Sequence, residues 1–394
     1  MAHFLLGINY WPRSSAMEMW SRFDPTELDD DFARIAGMGL EAVRVFLRWD
    51  VFQPTHDTIS QEALDRFVML LDRAHAHGLR AIPALFCGHT SGANWLPSWT
   101  LDPTVAAGDV PTITERGPSP HGIGDFYGGE LLDAQRLFAR TVGERVRDHP
   151  ALLAWDLGNE FTSVREPRST RDAAHWSTAL AHDLIQSSHA VVTGGLHSDD
   201  VTNDLNLRPS SVAELWQFAS MHAESVASSV ARNRLDPEVV PFFSALTAAC
   251  ARKPVLVTGL GNPACPPGTQ IDRDLTCLTD EEMAVYARKV LDRLQHRGAL
   301  GALWWCWADY PAELASAPPF DRAPQELTYG IVRSDGSAKP VALALEAFAR
   351  EKRDVVEEGP AIVDESQYYA GLPASLSRAY DAYVAEHNFS EEIT

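Results

Sequence analysis

Lysine is scarce in this chain of 394 residues, which contains only Lys253, Lys289, Lys339 and Lys352. The 33 Lys and Arg residues are outnumbered by 54 Asp and Glu residues, which gives a formal net charge of -21. Binding to a phosphate-rich polymer or an anionic lipid surface requires clustered positive charge. The composition therefore predicts neither a nucleic acid nor a membrane as a partner.

Long apolar runs are also missing. A membrane-spanning helix needs roughly 18 to 20 apolar residues in succession, and no stretch of this sequence reaches that length. The first eight residues, MAHFLLGI, have neither the basic start nor the long apolar core of a secretory signal. We therefore expect a cytoplasmic protein.

Cysteine is present only five times, at Cys87, Cys250, Cys265, Cys277 and Cys306. An odd number without the spacing of a disulfide framework predicts free thiols in a reducing compartment. Only an accident of geometry would pair Cys265 with Cys277, which flank a loop. No cysteines and histidines have the spacing of a zinc site, so we expect no metal and no other cofactor.

Short apolar segments alternate with longer amphipathic ones along most of the chain, which is the pattern of parallel βα units. Eight such segments are present, the number that closes a (β/α)8 barrel. We predict strands at Leu5–Tyr10, Ala42–Leu47, Arg80–Phe86, Leu152–Leu157, Ala190–Gly194, Leu215–Ser220, Pro254–Thr258 and Ala299–Trp305.

We predict one catalytic barrel over residues 1–350 and a short helical extension over residues 351–394, packed on the barrel. A helical pattern over Ala374–His387 lies in that extension. The barrel has long loops after its third and eighth strands, at Asn94–Phe126 and Asp309–Thr328. Since barrel enzymes carry their sites on this face, these loops are expected to shape a closed pocket.

Two strand ends carry the pattern of a catalytic pair. The fourth strand ends in Asn159 and Glu160, and the seventh runs into the loop that begins at Gly259. Cleavage of a glycosidic bond with retention needs a protonated carboxyl and a carboxylate about 5 Å apart. Glu160 suits the proton donor, whereas Gly259 stands where the carboxylate is required. The Asn-Glu pair could instead cap the next helix.

Several motifs in the same order along the chain resemble glycoside hydrolase family 5, within the large clan of retaining glycosidases. They are Gly7-Ile8-Asn9-Tyr10-Trp11, Arg44 in the second strand, Gly158-Asn159-Glu160, His222 after the sixth strand, and Trp304-Trp305-Cys306-Trp307 after the eighth. The resemblance spans residues 4–350. Within the family the chain is similar to the branch of intracellular bacterial β-mannosidases.

The resemblance implies a role for each matching residue. Glu160 is implied as the acid/base, and Asn159 as a ligand of the sugar 2-hydroxyl. Arg44 would support the nucleophile, although a buried arginine could equally be a structural ion-pair partner. His222 would line the donor subsite, unless it is a structural histidine.

Aromatic and histidine side chains are the remaining candidates for sugar contacts. Strand alternation puts Trp305 and Trp307 on one face, and we predict that Trp305 forms the stacking floor. His89, just past the third strand, is expected to line the pocket.

Two positions depart from the family pattern. The family has Glu where this chain has Gly259, which we interpret as a lost nucleophile, either replaced deliberately or lost naturally. The family commonly has tyrosine two residues after the histidine of the sixth strand, where this chain has Glu224. Glu224 is therefore predicted in the substrate site, and a relocated catalytic carboxylate is an alternative role.

The resemblance implies an exo-β-mannosidase that hydrolyses β-1,4-linked mannosides or Man-GlcNAc oligosaccharides by double displacement, with its nucleophile missing. An endo-β-mannanase, a β-glucosidase and a non-catalytic sugar-binding barrel remain alternatives, as does a metal-dependent barrel hydrolase. The sequence leaves the choice between mannoside and glucoside open, and also the oligomeric state.

Overall fold

Eight parallel strands form one curled sheet in the computed structural model, which describes residues 3–86, 88–226, 228–266, 268–270, 275–356 and 363–387. The strands are β1 Leu5–Asn9, β2 Ala42–Phe46, β3 Arg80–Ala84, β4 Ala154–Asp156, β5 Val191–Thr193, β6 Ala219–His222, β7 Val255–Leu260 and β8 Gly301–Trp304. Their order in the sheet is β5-β4-β3-β2-β1-β8-β7-β6. This arrangement confirms the predicted (β/α)8 barrel.

The two ends of this sheet meet between β5 and β6. Thr193 Oγ1 donates to the carbonyl oxygen of Phe218 at 2.8 Å. A parallel bridge joins His197, just after β5, to His222 at the end of β6. The sheet is thus almost closed into a barrel, and its closing seam brings two histidines to the carboxyl ends of the strands.

Helices follow the strands and cover the barrel. They are α1 Pro25–Gly37, α2 Trp49–Phe52, α3 Gln61–Ala76, α4 Gly129–Arg145, α5 Phe161–Val164, α6 Thr170–Ser188, α7 Asp199–Thr202, α8 Pro209–Val212, α9 Val239–Ala251, α10 Asp280–His296, α11 Pro340–Arg350, α12 Glu365–Ala370 and α13 Ala374–His387. In the part of the chain that the structure describes, no helix has the length and apolar character needed to cross a membrane.

The barrel interior contains a small apolar layer. Ile82, Leu256 and Leu303 form a buried cluster that is separate from the larger core between strands and helices. Neighbouring strands also approach closely at Gly7, where an added Cβ would lie 2.5 Å from the carbonyl oxygen of Ala42. Glycine is therefore required at that position by packing.

The sixth strand lies further along the chain than the sequence pattern predicts. The apolar run begins at Leu215, but the strand covers Ala219–His222. Trp216 is buried in the turn before the strand, and its ring occupies the space that a side chain at Gly194 would need. The apolar run thus includes a core-packing turn, and His222 is the last residue of the strand.

The loop after β3 contains secondary structure of its own. Its short strands form two small sheets, one of four strands and one of two. They cover His89–Thr90, Ala93–Trp95, Leu101–Ala106, Thr112–Thr114, Gly117–Ser119 and His121–Ile123. The loop after β8 contains two 3-10 helices, Ala312–Leu314 and Pro324–Thr328.

The C-terminal helices α12 and α13 pack against loops at the carboxyl end of the barrel. Tyr369 donates a hydrogen bond to the carbonyl oxygen of Asp200 at 2.7 Å, and Tyr368 donates to that of Val201 at 2.6 Å. Tyr380 donates to Asp236 Oδ2 at 2.8 Å. The extension therefore holds the segment around α7.

The prediction of free thiols is wrong for two cysteines. Cys265 and Cys277 form a disulfide, with their Cα atoms 5.0 Å apart. The backbone N–H of Cys265 donates to the carbonyl oxygen of Leu278, so the loop returns on itself and brings the two cysteines together. Cys250 and Cys306 are buried free thiols, and Cys87 lies outside the described residues.

Candidate active site

A buried ion pair lies at the base of the barrel mouth. Arg44 on β2 donates through Nε to Asp156 Oδ2 on β4 at 2.8 Å. It also donates to Asn9 Oδ1 and to the carbonyl oxygen of Gly158, both at 3.2 Å. These contacts satisfy the buried guanidinium and fix the end of β4. The predicted role of Arg44 as a nucleophile's partner remains a prediction, because no carboxylate stands at 259.

Glu160 follows β4 in a backbone conformation that non-glycine residues rarely adopt. Its φ is 51°, and its N–H donates to the carbonyl oxygen of Gly195 at 3.0 Å. Such conformations concentrate at functional sites. The adjacent Asn159 donates from Nδ2 to the carbonyl oxygen of His89 at 2.8 Å. Contacts from the loops after β3 and β5 thus hold Asn159 and Glu160 at the end of β4.

Imidazoles surround the Glu160 carboxyl. His222 Nδ1 lies 3.3 Å from Oε1, and His89 Nε2 lies 3.5 Å from Oε2. Burial acts to raise the pKa of this carboxyl, but the hydrogen bond from His222 and the nearby imidazoles of His197 and His89 outweigh burial and lower it. This environment favours the carboxylate form.

The histidine at 197 belongs to a buried network that sequence reasoning missed. Thr162 Oγ1 lies 2.9 Å from His197 Nε2 and donates to Asp200 Oδ1 at 2.7 Å. Burial acts to lower the pKa of His197, but the charges of Asp200 and Glu160 outweigh burial and raise it. No motif marks these residues, because the β5 loop and α5 bring them together only in the fold.

Gly259 on β7 is paired in register with His222 on β6. A Cβ added at this glycine would lie 3.2 Å from Cδ2 and Cγ of the His222 ring. Burial and the charge of Arg44 lower the pKa of His222. Its Nε2 atom is buried and has no hydrogen-bond partner among the described residues. The space at Gly259 therefore borders a neutral imidazole.

Two further carboxyls lie on the other side of the mouth. Tyr329 donates its phenol hydrogen to Glu224 Oε2 at 2.9 Å. Burial raises the pKa of Glu224 to about 7, with a smaller contribution from the charge of Glu160. Burial and the neighbouring Glu224 raise the pKa of Glu326 to about 8. Sequence reasoning missed Glu326 and Tyr329, which lie in the loop after β8.

The two candidate tryptophans have different surroundings. Trp305 is partly exposed and meets Phe46 edge to face, with ring centroids 5.7 Å apart. Trp307 is buried, and the guanidinium of Arg34 lies 5.4 Å from the centroid of its ring. The structure thus places Trp305 at the mouth and Trp307 against the outer helices, away from the sugar position predicted for it.

These side chains line one cavity of about 350 Å³ at the carboxyl ends of the strands. Every predicted site residue except Trp307 borders it. The lining consists of Arg44, His89, Thr90, Ser91, Gly92, Asn159, Glu160, His197, Ser198, Asp199, His222, Ala223, Glu224, Ser228, Gly259, Leu260, Trp305, Gln325, Glu326 and Tyr329. Within the described residues, no three His, Cys, Asp or Glu side chains are arranged to hold a metal ion.

Comparison with solved structures supports the fold. The chain is similar to the exo-β-1,4-mannosidase Op5Man5 from Opitutaceae bacterium strain TAV5, with a TM-score of 0.74 and 24% identity over 89% of this chain and 60% of that one. It is also similar to a GH5_18 variant from Streptomyces cattleya in complex with Manβ1-4GlcNAc, with a TM-score of 0.80 and 20% identity over 97% and 92% of the two chains. Both similarities show the barrel fold.

Similarity in sequence is more limited. No family model matches the chain. A segment of 146 residues is 27% identical to the β-galactosidase BgaA of Planococcus sp. (strain 'SOS Orange'). That segment is 36% of this chain and spans about a fifth, 20%, of the relative's length.

Proposed function

We propose that this chain is a retaining-type β-glycosidase, and specifically an exo-β-mannosidase, in which Gly259 replaces the nucleophile. Its substrates would be β-1,4-linked mannosides or Man-GlcNAc oligosaccharides. The observation that carries the proposal is one cavity bordered by Glu160 from β4 and by Gly259 from β7. Double displacement requires a carboxyl at each of these two positions.

The missing side chain at 259 has two chemical consequences. A glycine supplies no atom that can attack the anomeric carbon. A glutamate there would also place a like charge opposite Glu160, and such a charge raises the pKa of a neighbouring carboxyl. Without it, the imidazoles keep Glu160 ionised. One position therefore removes the nucleophile and also disfavours the protonated form that an acid catalyst needs.

The similar proteins support mannoside specificity, and the cavity walls support exo action. One of the structures similar to this chain contains Manβ1-4GlcNAc. The β3 loop contributes Ser91 and Gly92 to the cavity, and the β8 loop contributes Gln325 and Glu326. Loops from two sides of the mouth favour a pocket over an open cleft, and a pocket suits removal of one terminal sugar.

The direct test restores the carboxylate with Gly259→Glu. We expect hydrolysis of mannobiose and of 4-nitrophenyl β-mannoside to rise at least about 10³-fold, because a missing covalent nucleophile costs several kcal/mol of barrier. Gly259→Ala is the matched control. It places a Cβ 3.2 Å from the His222 ring without a carboxylate, so it isolates the steric effect of displacing that ring.

Two results would argue against a nucleophile position at 259. One is a Gly259→Glu variant that folds but stays as slow as Gly259→Ala. The other is a gain in activity that Gly259→Gln reproduces, since an amide cannot form the glycosyl-enzyme. The three variants Gly259→Glu, Gly259→Ala and Gly259→Gln are compared at equal concentrations of folded protein, as judged by thermal unfolding.

A second candidate function is sugar binding without catalysis, and it rests on the same Gly259. Isothermal titration with mannobiose, Manβ1-4GlcNAc and cellobiose measures binding by the unaltered chain. Tighter binding of the two mannosides supports mannoside specificity. Equal binding of cellobiose argues for a glucosidase or a less selective barrel, and binding without activity in Gly259→Glu favours the pure binder.

A further inference from the structure

The cavity contains more carboxyls than the proposed function uses. Four of them border it, those of Glu160, Asp199, Glu224 and Glu326. Among the described residues of the lining, Arg44 is the only Lys or Arg, and it forms an ion pair with Asp156 at 2.8 Å. The histidines of the lining act on the Glu160 carboxyl. A neutral mannoside therefore brings no positive charge to the carboxyls that remain.

Glu224 and Glu326 have no basic partner among the described residues. The side-chain hydrogen bond of Glu224 comes from the Tyr329 hydroxyl, at 2.9 Å, and the side chains that act on Glu326 are acids, a hydroxyl and an indole. A carboxylate that is withdrawn from water is costly unless it is paired. Both side chains are half-buried and border the cavity, so a ligand in the cavity can reach them and supply the missing positive charge.

An acceptor without a donor lies at the same strand end as Glu224. His222 is only 7% exposed, and its Nδ1 faces Glu160 Oε1 at 3.3 Å. With Nδ1 donating to that carboxylate, Nε2 carries the lone pair of the neutral ring. No described residue donates to Nε2. The ring atom bonded to it, Cδ2, lies 3.2 Å from the position of an added Cβ at Gly259, so this acceptor borders the part of the cavity that a ligand would fill.

An ammonium group matches these unpaired carboxyls and this free acceptor. It carries a full positive charge and three N–H donors, and it has no acceptor of its own. Its hydrogen bonds to carboxylates are roughly twice as strong as those between neutral groups. The rings of Trp305 and Tyr329 border the same cavity, and cations are attracted to the faces of such rings. A sugar that bears an amine therefore suits this lining better than a neutral sugar does.

We propose that the ligand of this cavity is a β-mannoside that carries an ammonium group, and that Glu224 and Glu326 bind this group. The inference rests on the proposed glycosidase function and narrows its substrate to a class, mannosides in which one sugar has a free amine. The amide of an N-acetylated sugar has a single N–H and no charge. We therefore expect the free amine to be preferred to its N-acetyl form.

Isothermal titration of the unaltered chain measures this preference with two matched pairs of sugars. Manβ1-4GlcN and Manβ1-4GlcNAc differ only in acetylation of the amine on the second sugar. Mannosamine and N-acetylmannosamine differ in the same way on mannose itself. At neutral pH and low salt, we expect the amine of at least one pair to bind about 10-fold more tightly than its amide, as for one charge-assisted hydrogen bond. Added salt should weaken this preference, because it screens the charges.

Substitutions assign the preference to the two carboxyls. Glu224→Gln and Glu326→Gln should each lower the affinity for the preferred amine by about 10-fold, and that for its amide by less than about 2-fold. A merely structural role would lower both affinities equally. Glu313→Gln, at an exposed glutamate of the same loop as Glu326, is the matched control and should bind as the unaltered chain does. Thermal unfolding checks that each variant is folded.

Three results would overturn the inference. They are equal binding, or none, of amine and amide in both pairs; a preference for the amine that survives in both glutamine variants; and binding of ethanolamine as tight as that of the preferred sugar, which would make the cavity a site for amines in general. The proposed function is tested separately. An active Gly259→Glu variant without any preference for amines refutes only the inference, whereas a preference for amines with an inactive Gly259→Glu variant refutes only the catalytic proposal.

Discussion

The two sides of the cavity shift the pKa of a glutamate in opposite directions. The histidine side consists of His89, Glu160, His197 and His222. The carboxyl side consists of Glu224, Glu326 and Tyr329. On the histidine side imidazoles lower the pKa of the glutamate, whereas on the carboxyl side burial raises it. The pKa of a glutamate is therefore lowered on one side of the cavity and raised on the other.

This difference shows that residue type and position do not fix a catalytic role. Glu160 is the residue for which the sequence predicts the role of acid, yet its neighbours favour the carboxylate. Glu224 stands outside the motif, yet burial and the charge of Glu160 outweigh the hydrogen bond from Tyr329 and raise its pKa to about 7. Protonation state is set by the groups within a few ångströms, and these come from different strands and loops.

The largest expected effect on stability comes from breaking the ion pair between Arg44 and Asp156, which lies below both sides of the cavity. Arg44→Met leaves Asp156 buried and uncompensated, and the two side chains of the pair are only 1% and 0% exposed. Loss of one partner of a buried pair costs about 3–5 kcal/mol of unfolding free energy. It also removes the charge that lowers the pKa of His222. Denaturant unfolding measures the loss.

A surface pair provides the control. Arg145 and Asp65 form an ion pair with side chains that are 43% and 66% exposed, so Arg145→Met should cost less than about 1 kcal/mol. Adding Asp156→Leu to Arg44→Met should recover part of the stability. Equal losses from Arg44→Met and Arg145→Met would mean that the buried pair does not hold the floor of the cavity.

The sequence predicted the barrel well because strand periodicity is a local signal. The prediction of β7, for example, depends only on the apolar run that begins at Val255 and on the glycine that follows it. The same local signal gave a wrong strand boundary where tertiary packing determines which residues form the strand. The run at Leu215 reads as a strand, but Trp216 turns into the core and the strand begins at Ala219.

The candidate site was predictable only in part, for a related reason. Glu160 and His222 stand in recognisable positions at strand ends, and both border the cavity. Glu326 and Asp200 lie in short helical segments after β8 and β5, whose position no periodicity describes. The Cys265–Cys277 disulfide likewise depends on the path of a loop. Alternation put Trp307 on the face of Trp305, but the strand ends at Trp304, so alternation no longer applies beyond it.

An intermediate effect is expected on the carboxyl side, from Glu326→Gln. The pKa of Glu326 is about 8, against an ordinary 4.5. The folded chain therefore holds a proton that the unfolded chain has lost between these pH values, and this contribution to stability is lost as pH rises through about 8. Glutamine does not titrate. The full shift corresponds to about 4 kcal/mol between pH 5 and 8 at about 1.36 kcal/mol per unit. Because the Glu326 side chain is only half-buried, solvent screening should reduce the gain of the variant to on the order of 2 kcal/mol relative to the unaltered chain.

Unfolding free energies at several pH values measure this gain, with Glu313→Gln, at an exposed glutamate of the same loop, as the matched control. A stability difference that stays constant from pH 5 to 9 would show that Glu326 titrates normally, and the contrast between the two sides would then rest on Glu224 alone.

The smallest expected effect on stability is on the histidine side, from His197→Asn. The change removes a partner of half-buried Thr162 and of buried Asp200, at about 1–3 kcal/mol. Its more telling consequence is electrostatic. His197 helps to lower the pKa of Glu160, so that pKa should rise, as followed by carbon-13 NMR of the glutamate carboxyls. His182→Asn, at a histidine whose side chain is 63% exposed, should leave the Glu160 signal unchanged. If His197→Asn also leaves it unchanged, the imidazoles of His222 and His89 alone keep Glu160 ionised, and the Asp200 network only braces the loop.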